Sequence, residues 1–114
     1  MNTLFEVEPE PDHSAELPEI QGTEKQIPWA IAIRKKRLVE IAQYLRKHRL
    51  HVENLKDLGR TEAYERERTR YRAELDREEE LRRSDSARFW IDRRDNSAQE
   101  LLENGPAKPG GGYR

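Results

Sequence analysis

At 114 residues, with 33% hydrophobic against 39% charged content, the chain has room for one small domain and too little apolar mass for a thick core, so a thin, elongated fold is expected. With no cysteine, a disulfide framework, a thiol nucleophile and a cysteine-based zinc site are excluded. The formal net charge of −1 conceals a polarity: residues 1–24 carry seven acids and no Lys or Arg, residues 25–58 carry nine Lys or Arg against three acids, and from residue 59 onward the signs balance.

Residues 1–21 combine Glu6, Glu8, Glu10 and Asp12 with Pro9, Pro11 and Pro18. That mixture opposes a regular helix and leaves little to bury, so an acidic, disordered tail is expected. Within it, Leu4 and Phe5 have the form of a docking peptide that orders on a partner. An acidic start is unlike a secretory signal, and no apolar run approaches the roughly 20 residues of a membrane helix. A cytoplasmic protein with no membrane contact is the expectation.

A single helical domain is expected over residues 22–104. Thr23 with Gln26 three residues later is a capping-box signature. Pro28 disfavours helical geometry at Ile27, so the regular helix is expected from Pro28, with Thr23 to Ile27 as a looser turn. Ile27, Ala30, Ile31, Leu38, Ile41, Ala42 and Leu45 repeat at helical spacing, interrupted by Arg34, and extend the helix to about His48. Leu50, Val52, Leu55 and Leu58 either continue it or form a separate turn before Gly59.

Thr61 is placed to cap a second, Glu/Arg-rich helix over residues 62–83, whose seam is only Tyr64, Tyr71 and Leu75. Glu62 and Arg66, Glu78 and Arg82, and Glu79 and Arg83 are set to pair at i,i+4. A third segment, capped by Ser84 or Asp85, aligns Ala87, Trp90, Ile91, Ala98 and Leu101, with Arg94 in the same stripe. A second capping signature, Ser97 with Glu100, competes and would split it. Gly105, Pro106 and the run Gly110 to Gly112 predict a flexible tail over 105–114.

Two features of the first helix bear on function. In a regular helix Lys25, Lys36 and Lys47 fall near one line opposite the apolar stripe, with Lys35 and Arg46 beside them, and Arg37 and Arg49 complete the basic set. Such a face suits a phosphate backbone, or else is an ordinary solvated surface or one that the acidic tail covers. Trp29 and Ile33 fall off the main stripe, and the expected cover is Phe89, Trp90 and Ile91, giving a two-tryptophan core; an aromatic contact site at Trp29 is the alternative.

Arg34 and Arg94 are expected to pair with carboxylates such as Glu40, Asp92 or Asp95. His48 and His51 read as surface histidines, since a metal would find no third ligand beyond Glu53. Glu78, Glu79 and Glu80 are expected to be exposed, with nothing to raise a pKa toward acid/base work. No catalytic residue, cofactor or metal is expected.

The stretch "GTEKQIPWAIAIRKKRL" together with "ARFWIDRRD" resembles a group of small, uncharacterised bacterial and phage proteins. The matching residues are Gly22, Thr23, Lys25, Gln26, Ile27, Trp29, Ala30, Ile33 and Arg34, then Phe89, Trp90, Ile91, Asp92 and Arg94. The resemblance covers the two ends of the folded part, and implies a phage or mobile-element setting in a bacterial host without implying an activity.

The expected molecule is therefore all-α. A long first helix and a Glu/Arg-rich second helix form a hairpin, and a Trp-containing third segment packs on the start of the first. The expected role is a non-enzymatic interaction protein engaging nucleic acid or a nucleoprotein complex through Lys25, Lys35, Lys36, Arg37, Arg46, Lys47 and Arg49, with Leu4, Phe5 and Trp29 as protein-partner contacts. The alternatives are an inhibitor of a host defence protein, acting by charge mimicry or channel occlusion, and a self-associating helical scaffold in which the Glu/Arg helix pairs with its copy as a homodimer.

Overall fold

A computed structural model describes residues 16–104. The described chain is 75% helical, with helices α1 (Gln26–Asp57), α2 (Thr61–Arg82), α3 (Ala87–Asp92) and α4 (Ala98–Asn104). It contains no strand among the described residues, only an isolated parallel bridge between Gln21 and Ser86. Its extents are 52 × 30 × 18 Å, the thin and elongated form that a charge-rich chain of this length dictates. No described helix is long and apolar enough to cross a membrane.

The capping box forms as its spacing requires: the Gln26 amide donates to Thr23 Oγ1 at 3.2 Å, and the Thr23 amide donates to Gln26 Oε1 at 3.3 Å. Pro28 sits inside the first turn, where its missing N–H has no acceptor to leave empty, so helical residues begin at Gln26, ahead of the expected start. Beyond His48 the helix runs unbroken to Asp57, because Val52 and Leu55 keep the buried spacing of Ile41, Leu45 and His48. Gly59 turns the chain at φ 72°, a conformation that costs a side-chain-bearing residue energy.

α2 packs back along α1 through Tyr71, Glu74, Glu78 and Leu81, all buried, with Tyr64 and Leu75 at the margin. Thr61 does not cap it: Arg60 precedes the first helical residue and no side chain caps that end. The Glu79 and Arg83 pair forms at 3.1 Å. Glu78, expected on the exposed face, is 3% exposed, because it falls between Glu74 and Leu81 on the inward side.

The third segment divides. Ser86, in place of Ser84 or Asp85, caps α3 by accepting from the Phe89 amide at 3.2 Å. Ser97 and Glu100 make the second capping box, at 2.9 and 3.1 Å, and start α4. α3 packs on α1, and α4 packs on both α1 and α2. Trp90 is fully buried, its indole N–H donating to the Ser84 carbonyl at 3.1 Å.

The chain entering α1 is held as well. The Gln21 amide donates to the Asp85 carbonyl at 2.6 Å, the Ala87 amide donates to the Gln21 carbonyl at 2.8 Å, and Ile20 is buried just upstream, within the stretch that sequence assigned to the tail. Gly22 passes so close to α3 that an added Cβ would lie 2.6 Å from the Ala87 Cβ. A larger residue there would push the two segments apart.

The two-tryptophan core does not form. Trp90 joins Ala30, Ile41, Leu81 and Leu101 in the core, whereas Trp29 is 50% exposed and Ile33 packs at the edge. Ile31, assigned to the inward stripe, is also exposed, since the buried face is narrower than the apolar run. The arginines exchange roles too. Arg34 is buried and donates to the Pro18 carbonyl at 2.7 Å instead of to a carboxylate, and burial lowers its pKa. Arg93, with its guanidinium 3.8 Å from the Phe89 ring centre, is the buried arginine of the third segment. Arg94 is exposed and donates to the Ile91 carbonyl at 2.8 Å.

Candidate functional site

The outer face of α1 carries the charge. An interval of eleven residues is three turns plus about 20°, so Lys25, Lys36 and Lys47 follow one line at steps of about 16 Å, and Lys35 and Arg46 repeat the interval beside them. All five are exposed. None of them is in an ion pair with another described residue. Arg37 and Arg49 are half-buried and differently used. Arg37 pairs with Glu40 at 2.6 Å and donates to the Arg94 carbonyl, tying α1 to the end of α3. Arg49 pairs with Glu53 at 3.4 Å.

Between these cations stand exposed apolar side chains: Trp29, Val39 at 52% and Leu50 at 54%. The Arg94 guanidinium lies 5.5 Å from the centre of the Trp29 ring. Leu4 and Phe5 fall outside the described residues.

A second cluster sits between α1 and α2, where sequence placed only a surface histidine. His48 is 9% exposed and edge-on to the buried Tyr71. Its Nδ1 lies 2.6 Å from Glu74 Oε1 and its Nε2 lies 3.0 Å from Glu67 Oε1. An ionised carboxylate only accepts, so both contacts are satisfied together when both ring nitrogens carry a proton, as in the imidazolium. Tyr44 donates to Glu74 Oε2 at 3.1 Å, and Arg70 reaches the same oxygen at 3.5 Å.

The titration of the cluster follows from those contacts. The hydrogen bond to Glu74 outweighs the desolvation of His48 and raises its pKa, with Glu67 adding to the effect. Burial alone would raise the pKa of Glu67, but the bond from His48 and the charge of Arg70 reverse it to a net lowering. Burial first, then Glu74, raises the pKa of the Tyr44 phenol. A general base needs a ring nitrogen with a free lone pair, and His48 offers none while both of its ring nitrogens donate to Glu74 and Glu67. The cluster fastens two helices. His51, by contrast, is exposed, as sequence placed it.

No group of three or more His, Asp or Glu set to hold a metal occurs among the described residues. The buried cluster had a signal in the sequence. His48 continues the 3/4 spacing of Ile41, Leu45 and Val52, and Glu74 and Glu78 continue that of Tyr71 and Leu81, so polar residues occupy core positions on both helices. No family model, no curated protein and no solved structure matches the chain.

Proposed function

We propose that this is a non-enzymatic interaction protein of phage or mobile-element type, which engages nucleic acid or a nucleoprotein complex through the outer face of α1 in a bacterial cytoplasm. The observation that carries this reading is the double row of Lys25, Lys36, Lys47 and Lys35, Arg46: four exposed cations on α1 and a fifth at its N-cap, with no described carboxylate paired to them. A fixed cationic row displaces counterions from a phosphate backbone at no cost in ordering the protein backbone that carries it. Trp29 adds a half-exposed aromatic face beside the row, a surface on which an unpaired base stacks. Arg37 and Arg49 support the helix more than the contact, since each already has an acid partner.

Replacing Lys35, Lys36, Arg46 and Lys47 together with Glu tests the reading. All four are exposed, so helical content and Tm should hold while a gel shift at low salt disappears; an unchanged shift rejects the face. Self-association is the second reading, favoured by Val39 and Leu50 standing exposed on α1. It moves the contact from the Glu/Arg helix to the first helix, and a strict monomer in sedimentation at high concentration removes it.

A further inference from the structure

A groove of about 450 Å³ lies between the incoming chain at Leu17, the first half of α1 and the last turn of α2. Leu17, Ile31, Leu38 and Val39 form its apolar lining, Arg34, Lys35 and Arg82 supply its charge, and no carboxylate lines it. Leu17, Ile31 and Val39 remain 36%, 45% and 52% exposed. Large apolar side chains thus stand in water beside three cations, a surface complementary to a peptide that carries both apolar and acidic groups.

We propose that this groove is the docking site of the chain's own first 15 residues, with Leu4, Phe5 and Val7 supplying the apolar contact and Glu6, Glu8 and Glu10 the charge. Two observations choose this occupant. The first is composition: residues 1–15 hold Glu6, Glu8, Glu10 and Asp12 and no Lys or Arg, the inverse of the groove. The second is attachment. The described chain begins at Glu16, and its neighbour Leu17 is itself a lining residue. Eleven residues lie between Phe5 and Leu17, a reach of up to about 40 Å, so the segment meets the groove as an intramolecular ligand at an effective concentration on the order of millimolar.

Lys35 belongs both to the groove and to the cationic row, so a docked segment competes with a polyanion for α1. That consequence rests on the nucleic-acid reading; the docking does not.

The test uses the full chain with the photo-crosslinker p-benzoylphenylalanine in place of Phe5, irradiated at low micromolar concentration and mapped by mass spectrometry. Crosslinks within one chain to residues 31–39 are expected. The double variant Ile31→Ser with Val39→Ser, which alters two exposed side chains, should retain its helical circular dichroism and lose the crosslink several-fold. Crosslinks scattered over the surface, crosslinks joining two chains, or a yield the double variant leaves unchanged would each overturn the proposal. None of these outcomes depends on whether nucleic acid binds.

Discussion

Replacing His48 with Gln removes the one cation that holds Glu67 and Glu74 against α1. Taking one partner from a buried charged cluster costs about 3 to 5 kcal/mol. The lower end applies here, because Tyr44 and Arg70 still reach Glu74. A loss of about 3 kcal/mol lowers Tm by roughly 12 to 24 °C in a domain of this size. Glu67→Gln, at a more exposed partner, should cost about 1 kcal/mol.

The pH dependence separates this mechanism from simple loss of packing. His48 titrates above its ordinary 6.5 in the folded chain, so its stabilisation is complete below pH 6.5 and is lost as pH rises through the folded pKa. Glu67 titrates below its ordinary 4.5, so its contribution is present above pH 4.5 and is lost as pH falls through the folded value. Thermal melts should therefore show greatest stability from this cluster between pH 4.5 and 6.5, with an alkaline decline that His48→Gln abolishes. A Tm loss under about 4 °C, near 1 kcal/mol, or an alkaline decline identical in both proteins, contradicts the imidazolium bridge.

The two tryptophans should behave oppositely. Trp90→Ala empties a fully buried site and should cost about 3 to 5 kcal/mol by urea denaturation, whereas Trp29→Ala, at a half-exposed position, should cost under about 1 kcal/mol; equal costs would mean that Trp29 is core. Ser97→Ala removes the cap of α4 and should cost about 1 kcal/mol, read as faster amide exchange confined to residues 98–104, while uniform exchange along the chain would deny α4 a cap of its own.

The helices were legible wherever a local signal was complete. Thr23 with Gln26 and Ser97 with Glu100 each satisfied two amides within four residues, and Gly59 marked the turn that only a positive φ could make. What stayed hidden depended on contacts between distant segments. Nothing local to Trp29 and Trp90 says which is covered; the path of the Ile20 to Gly22 segment against Ala87 decides it. His48 was read as surface because its neighbours Arg46, Lys47 and Arg49 are basic, although its register was that of the core. Arg34 found a backbone carbonyl at Pro18, sixteen residues away, instead of a nearby acid. The exposure of Lys25, Lys35, Lys36, Arg46 and Lys47 was legible, because exposure on a helix follows from spacing once the inward face is known, whereas the half-burial of Arg37 and Arg49 against Glu40 and Glu53 was not. The groove was not, since it needs the incoming chain and α2 together.

The salt dependence of binding bears most directly on the role given to α1. With fluorescence anisotropy of a labelled 20-nucleotide duplex and single strand between 50 and 300 mM salt, the five exposed cations set a limiting slope of log K against log salt of about −4.5 for duplex, at roughly −0.9 per phosphate neutralised. Lys36→Gln should reduce that slope by about 1 while the melting curve stays fixed. Absence of binding to either ligand at 50 mM salt, or binding that salt and Lys36→Gln leave unchanged, would contradict a nucleic-acid face on α1.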